Sequence, residues 1–283
     1  MNGLKYIQNA ITTADGTEGS LLIPKKIYDT IIDEQAKTVI PRSEAAIYFG
    51  PGQIPGSSVD IDLMTENTMD VRLVGEGSEI VIDKVEFTST NIKPLKYGVA
   101  LRITREMKED SKWPLLEWNV KIAGRRFGEN ENALVIAQLD TSSNSTGAGA
   151  AVTIADITAS MQQLEDEDYD PTTYAIGMEV LNDLRNIDTF VEANKVGNRE
   201  MLAKGFLGVI YGMNVIKVST NAGMTTTTSY MWDRDKAYVI AEKRPITIEN
   251  FELPAFDMSA ASVTQRIAVK VLRAGAIAYI TSS

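Results

Sequence analysis

The clearest pattern in the chain is a strict alternation of apolar and polar or small positions just before residue 105. The apolar set is Leu95, Tyr97, Val99, Leu101 and Ile103. Side chains along a strand point alternately to opposite faces, so a period of two indicates a strand with one face on a core. We therefore predict a strand over residues 95–103.

A pattern with helical spacing follows this strand. Residues 110–114 offer capping side chains and a proline suited to a first helical turn. Apolar side chains then recur on one stripe, at Leu116, Val120, Ala123, Phe127, Leu134 and Ala137. This spacing predicts a helix from about Pro114 to Leu139, roughly 39 Å long at 1.5 Å per residue.

The segment 44–83 is rich in turn signals and poor in residues that could form a core of their own. Its outgoing limb alternates apolar and polar side chains over residues 58–63, and its returning limb has Val71 and Leu73 on either side of Arg72. An isolated two-stranded ribbon is only marginally stable in water. We therefore expect an extended hairpin that lies on another surface.

The second half of the chain alternates helix and strand patterns. Thr153 and Asp156 resemble a capping box at a helix start, and residues 180–185 predict a further helix. Strands are predicted at 174–178, 209–211, 215–218, 237–240, 246–248, 267–271 and 277–280. The fold class is therefore α+β. Residues 141–149 are nearly all Thr, Ser, Asn, Gly and Ala, which is typical of a linker, and we predict a domain boundary there.

The composition changes the range of possible functions. The sequence has no cysteine, which excludes disulfides, thiolate metal sites and cysteine nucleophiles, and no histidine, which excludes every Ser-His-Asp arrangement. The acidic run 165–170 lacks the ligand spacing of an EF-hand and predicts a solvated loop. We expect no catalytic residue, no cofactor and no metal site.

The net charge is −10, whereas most proteins that bind the phosphates of nucleic acids carry a positive charge. No apolar run is long enough for a transmembrane helix, and residues 1–5 lack the pattern of a secretion signal. We therefore expect a protein made in a cytoplasm, without a membrane partner and without sequence-specific binding of nucleic acid.

Five strings occur in order along the chain, at residues 11–24, 74–80, 85–111, 131–134 and 273–279. They resemble, in turn, the N-terminal arm, the end of the E-loop, the strands before the spine helix, the end of that helix, and the closing strand of HK97-type capsid proteins. The resemblance spans nearly the whole chain. The sequence is thus similar to the major capsid proteins of tailed bacteriophages and archaeal tailed viruses.

The resemblance implies an α+β HK97-like capsid fold with an N-terminal arm, an E-loop β-hairpin, a P-domain with a long spine helix, and an A-domain. The implied ranges are 1–43 for the arm, 44–83 for the E-loop, 84–140 for the P-domain with part of 243–272, and 141–242 for the A-domain with 273–283.

The resemblance also implies a function. The chain would be a structural capsid protein that self-assembles as pentamers and hexamers into an icosahedral shell around double-stranded DNA. It would be assembled in the host cytoplasm and found in the virion, with portal, scaffolding or decoration proteins as further partners. The archetype of the fold cross-links its subunits through an E-loop lysine, and this sequence has no lysine between Lys37 and Lys84. We therefore expect non-covalent contacts between subunits.

In a monomer the arm and the hairpin would both expose apolar strips to water, which is typical of surfaces that a partner covers. We predict contacts between subunits at Ile23 of the arm and at five positions of the hairpin, which are Ile61, Leu63, Val71, Leu73 and Glu76.

Two other functions are compatible with parts of the sequence. An encapsulin, a cellular shell of the same fold around a cargo enzyme, is the nearest alternative; the glycine-containing loop at 14–20 and the long hairpin favour a virus instead. A hydrolase that uses only carboxylates is the third, and it would need a deep pocket with converging Asp and Glu side chains.

Overall fold

The computed structural model describes residues 31, 40, 42–64, 71–80, 87–104, 115–187, 208–253 and 258–282. The strands are β1 (Ile47–Phe49), β2 (Val59–Met64), β3 (Phe87–Ile92), β4 (Leu95–Thr104), β5 (Asn144–Gly147), β6 (Thr173–Ile176), β7 (Val209–Ile210), β8 (Met213–Lys217), β9 (Thr228–Trp232), β10 (Tyr238–Leu253), β11 (Met258–Val271) and β12 (Ile277–Thr281). The helices are α1 (Leu115–Leu139), α2 (Ile154–Glu165) and α3 (Met178–Asn186).

A four-stranded sheet combines strands from both halves of the chain, in the order β1-β10-β11-β4. The long strands β10 and β11 form an antiparallel hairpin, β4 pairs antiparallel with β11, and the short β1 pairs parallel with β10. Helix α1 packs on one face of this sheet, where Val120 and Phe127 form a buried cluster with Ile246, Val263 and Ile31. The strand predicted at 95–103 and the helix predicted at 114–139 are both confirmed.

The buried stripe of α1 differs from the predicted one near the end of the helix. Ala137 is exposed, whereas Val135, Ile136 and Leu139 are buried. The reason is that the last turns of α1 pack in a second, larger core and not in the cluster around Phe127. The buried face therefore changes along the helix.

This larger core surrounds a six-stranded sheet with the order β5-β12-β9-β6-β8-β7. Helices α2 and α3 pack against it through Ile157, Leu164, Val180 and Leu184, and α2 begins with a true capping box between Thr153 and Asp156. Most predicted helices and strands of the second half are confirmed with small shifts of their ends. Two predictions differ more: the strand predicted at 267–271 already begins at Met258, and 237–240 and 246–248 belong to one strand, β10. The register of β10 is irregular around Pro245, which lies in the gap between the two predicted strands.

The prediction of a linker at 141–149 is wrong. Residues 144–147 form β5, which pairs parallel with β12 at the edge of the six-stranded sheet. The Ser142 hydroxyl donates to the carbonyl oxygen of Ile277 at 2.5 Å. An edge strand can use the same small polar residues as a linker, and composition alone does not separate the two.

The predicted hairpin also pairs differently. Strand β2 pairs antiparallel with β3, from Val59 opposite Ile92 to Met64 opposite Phe87, so the prediction that the limb around Val71 and Leu73 returns beside β2 is wrong. Residues 71–80 are not a strand. The partner strand lies beyond 44–83, and its residue Ile92 forms a buried cluster with Ile54, Val239 and Ala241. The domain ranges given above stay predictions.

Candidate assembly surface

We call the two-stranded unit of β2 and β3 the ribbon, and its base is anchored on the four-stranded sheet. Val59 and Ile61 pack on a buried cluster of Ile54, Ile92, Val239 and Ala241, on the face of the sheet that α1 does not cover. The alternate side chains Asp60 and Asp62 are exposed. Packing one side of the ribbon on the sheet stabilises it, because an isolated two-stranded unit is only marginally stable in water.

The segment 71–80, here called the distal segment, lies at the other end of the ribbon and every one of its residues is exposed. Val71 and Leu73 have relative exposures of 105% and 103%. Gly77 has φ 79°, and the amide of Ser78 donates to the carbonyl oxygen of Gly75 at 3.0 Å, which makes a tight turn. Fully exposed apolar side chains in a segment such as this are typical of a surface that is covered by a partner.

The structure divides the predicted contact residues into three groups. Val71, Leu73 and Glu76 lie in the distal segment and are free to touch another molecule. Ile61 and Leu63 are half-buried, and Ile61 packs within its own chain, so its apolar side chain is needed for the fold of the subunit. Ile23 lies outside the described residues.

A buried ionic network fixes the segment that precedes the ribbon to the rest of the subunit. Arg42 donates from Nε and Nη2 to the two carboxylate oxygens of Glu131 on α1, at 2.7 and 2.9 Å. The Nη1 of Arg42 also donates to Glu242 on β10 at 2.9 Å, and the Tyr48 hydroxyl donates to the same carboxylate at 2.5 Å. A two-pronged arginine–carboxylate pair gives orientation as well as energy.

Further hydrogen bonds extend this attachment along residues 40–44. The amide of Ile40 donates to Oδ1 of Asn132 at 2.8 Å, and the indole N–H of Trp232 donates to the carbonyl oxygen of Glu44 at 3.0 Å. The hydroxyl of Thr173 donates to the Glu44 carboxylate. The end of the predicted arm, together with Glu44, is therefore bonded to the long helix and to both large sheets.

The environment of the network shifts two pKa values. Burial would lower the pKa of Arg42, but its hydrogen bond to Glu131 and the charges of Glu131 and Glu242 outweigh burial and raise it above the ordinary value. Burial, together with the hydrogen bond to Glu242, raises the pKa of Tyr48 to about 12. The guanidinium stays charged and the phenol stays neutral at any physiological pH.

Sequence reasoning missed this network, although one signal for it exists. Glu131 lies one helical turn after Phe127 and one turn before Val135, so a carboxylate occupies the buried stripe of α1. A buried charge needs a partner. That rule predicts a cation opposite Glu131 but does not say that the cation is Arg42, 89 positions away.

A second exposed apolar feature lies on the outer face of α1. Trp118 and Ile122 are one turn apart, and about half of each side chain is exposed. Neither belongs to the buried clusters of the subunit. Exposed apolar pairs of this kind are typical of surfaces that a partner covers.

The chemistry of a carboxylate hydrolase finds no support in the described residues. A cavity of about 260 Å³ between α1, β4 and β11 is lined by Asn91, Lys93, Tyr97, Gln138, Lys270 and apolar side chains, without a carboxylate. In the part of the chain that the structure describes, no three acidic side chains converge as metal ligands. None of the described helices is long and apolar enough to cross a membrane.

Comparison with known proteins identifies relatives of this fold. A family model described as phage capsid protein matches residues 87–280. A structure from Mycobacterium phage Che8 superposes with a TM-score of 0.66 and 13% identity, over 80% of this chain and 84% of that one. The mature capsid of bacteriophage PhiM1 gives 0.64 and 12% identity over 87% of both chains. A virus-like particle from Pyrococcus furiosus gives 0.58 and 14%, over 90% and 98%.

At these identities the superpositions show a shared fold. No curated protein has a sequence that matches this chain significantly.

Proposed function

The chain belongs to the phage capsid protein family, and on this premise we propose that the ribbon and its distal segment join neighbouring subunits in an icosahedral viral shell. The fold is the HK97-like capsid fold, and the protein is a structural component of the virion rather than an enzyme. Its copies assemble with one another into the shell.

The observation that carries this proposal is the contrast between the two ends of the ribbon. The base is buried against the four-stranded sheet of its own subunit, whereas Val71 and Leu73 at the far end touch nothing that would remove them from water. Apolar side chains held out in this way are stabilised when a second subunit covers them. Repeated over a closed shell, even a modest contact of this kind becomes stable collectively.

The finer organisation of the particle extends the proposal. Pentamers and hexamers of the chain would enclose double-stranded DNA, with portal, scaffolding or decoration proteins as further partners, after assembly in the host cytoplasm. The net charge of −10 supports a wall that holds packaged DNA weakly. The absence of lysine from positions 38–83 supports contacts that are non-covalent at the ribbon.

The test is the mass of the purified protein by light scattering, together with negative-stain electron microscopy. Closed shells, or rings of five or six subunits, are the expected result. A 31.0 kDa monomer at every salt concentration and pH would contradict the proposal. Nucleic acid inside shells recovered from an infected host would separate a viral capsid from the encapsulin alternative, which would contain a cargo enzyme; the family match favours the capsid.

A further inference from the structure

The outer face of the four-stranded sheet, opposite α1, carries three cations side by side. Arg244 on β10 stands directly opposite Arg266 on β11, and Arg266 stands directly opposite Lys96 on β4. Residues that face each other across antiparallel strands share one face of the sheet. Val263, which packs on α1, is three residues from Arg266 and therefore on the other face. We call Arg244, Arg266 and Lys96 the cationic row.

No carboxylate among the described residues forms an ion pair with the row. Arg266 donates from Nη2 to the carbonyl oxygen of Pro94 at 3.2 Å, and Arg244 donates from Nη2 to the hydroxyl of Thr264 at 3.0 Å. The Nε of Arg244 is buried and has no acceptor within the described ranges. Neutral acceptors thus hold the two guanidinium groups in place but leave their charges uncompensated.

Such a row is unfavourable in an isolated subunit, because like charges directly opposite each other in a sheet destabilise it. The neighbouring layer on this face consists of Thr247, Thr264 and Gly98, which bring no charge. Among the described residues of the sheet strands themselves, the next carboxylate on this face is Glu249, opposite Ser262, four residues along β11 and about 13 Å from the row at 3.3 Å per residue. An anion from outside the subunit would relieve the repulsion.

The chain itself contains the complementary charge. Between Asp60 and Asp83 it has seven carboxylates, one arginine and no lysine. Two of these carboxylates, Glu76 and Glu79, lie in the fully exposed distal segment. Because every residue of that segment is exposed, its acids are accessible to another subunit.

We propose that the cationic row binds the carboxylates of the distal segment, Glu76 and Glu79 foremost, of a second copy of this chain. This inference rests on the proposed function and names the residues that receive the ribbon. The small side chains beside the row, Thr247, Thr264 and Gly98, leave room for an extended segment to lie there while Val71 and Leu73 are covered. The charge pairs fix which neighbour and which register the segment takes.

A second copy fits the row better than a nucleic acid does. Both charged partners are present in the one chain, and the apolar side chains of the distal segment need a protein surface to cover them.

Charge reversal and restoration test the proposal. The row is reversed by Lys96→Glu with Arg266→Glu, the distal segment by Glu76→Lys with Glu79→Lys, and a combined variant carries all four changes. Each reversal alone is expected to raise the concentration at which subunits associate by about tenfold or more, measured by sedimentation velocity. The combined variant is expected to associate close to the wild-type concentration. Lys96→Glu alone serves as a second row variant that leaves the Arg266–Pro94 hydrogen bond intact.

A matched control separates local pairing from net charge. Lys217→Glu with Arg185→Glu removes two exposed cations outside the row and changes the net charge by the same amount. It should associate like the wild type.

If the row-reversed protein associates like the wild type, the inference is overturned, and a loss of nucleic acid from its particles would assign the row to phosphates instead. If the wild type forms no closed shells but the reversals still weaken association and the combined variant restores it, the proposed function fails while this inference stands.

Discussion

Arg42 and Glu131, separated by 89 positions in sequence, are joined by two parallel hydrogen bonds of 2.7 and 2.9 Å. Glu131 is 1% exposed, and the second carboxylate that Arg42 reaches, Glu242, is 4% exposed. One guanidinium therefore pairs with two buried carboxylates, one on α1 and one on β10. The chain enters β2 at Val59, 17 residues after Arg42, so the network anchors the segment that leads into the ribbon to α1 and β10.

Arg42→Ala should destabilise the subunit strongly, because it leaves two buried carboxylates without a counter-charge. We expect a loss of about 3 kcal/mol in the free energy of unfolding, near the low end for buried pairs since part of the Arg42 side chain is exposed. Urea-induced unfolding measures it, at concentrations where light scattering shows both proteins unassembled. Adding Glu131→Gln should recover part of the loss.

The control for this change is Arg234→Ala. Arg234 pairs with Asp235 at 3.3 Å on the surface, with both side chains largely exposed. Surface pairs contribute little, so the free energy of unfolding should change by less than about 1 kcal/mol. Equal effects of the two substitutions would show that the Arg42 network is not structural.

High pH should destabilise the fold through its tyrosines. In the unfolded chain a tyrosine ionises near pH 10, whereas the pKa of Tyr48 is about 12 in the folded subunit. The stability contributed by the neutral phenol is complete below the unfolded pKa and is lost as pH rises from there through the folded pKa. Burial also raises the pKa of Tyr174, Tyr230 and Tyr238 above its ordinary value, in the same direction.

The urea midpoint should therefore fall as pH rises past about 10, and Tyr48→Phe should reduce the slope of that fall. Tyr211→Phe, at a half-exposed position, is the control and should leave the slope unchanged. A midpoint independent of pH across this window would contradict the assignment of neutral, buried phenols.

Charges in the distal segment should prevent assembly without harming the subunit. Val71→Asp with Leu73→Asp places two carboxylates where we expect a neighbour to cover apolar side chains, and no contact within the subunit is lost. The variant should remain unassembled by light scattering, with a wild-type unfolding midpoint. Ala150→Asp with Ala151→Asp adds the same charge at exposed loop positions and should assemble.

Ile61→Asp should behave differently from the distal variant. Ile61 packs on the buried cluster at the base of the ribbon, so a carboxylate there should cost about 1–3 kcal/mol of subunit stability. A wild-type unfolding midpoint for this variant would show that the ribbon does not pack on its own subunit as described.

Gly177 should not tolerate a side chain. A Cβ at this position would lie 2.5 Å from the carbonyl oxygen of Thr226 and 2.6 Å from that of Thr225. Gly177→Ala should therefore destabilise the subunit by about 1–3 kcal/mol. The matched control is Gly147→Ala, where nothing lies within 4 Å of the added carbon, and its effect should stay within about 0.5 kcal/mol. Equal midpoints would contradict the close approach of the 225–226 backbone.

Elements with a clear period were predictable from the sequence. Helix α1 buries one face, and Tyr97 and Leu101 of β4 pack against the same cluster, so the apolar residues of the two elements recur at helical spacing and at intervals of two. Strand β9 was missed for the opposite reason. All five of its residues are buried, so it shows no alternation, and its threonine and serine residues resemble a loop.

The pairing of the ribbon was not predictable from local pattern. Strands β2 and β3 are separated by more than twenty residues, and the choice of partner depends on Ile92 closing a cluster with Ile54 and Val239. The same holds for Arg42 and Glu131, whose contact depends on the complete fold. The exposure of Val71 and Leu73 was expected from the sequence, because the segment offers them nothing to pack against.

We propose above all that a neighbouring subunit in a closed shell covers the distal segment of the ribbon. The most direct measurement is a cryo-electron microscopy reconstruction of assembled particles in which the chain can be traced. We expect the distal segment to lie on an adjacent subunit, with Val71 and Leu73 covered and Glu76 or Glu79 near Lys96 and Arg266. A shell in which residues 71–80 remain in solvent on every subunit would contradict the account.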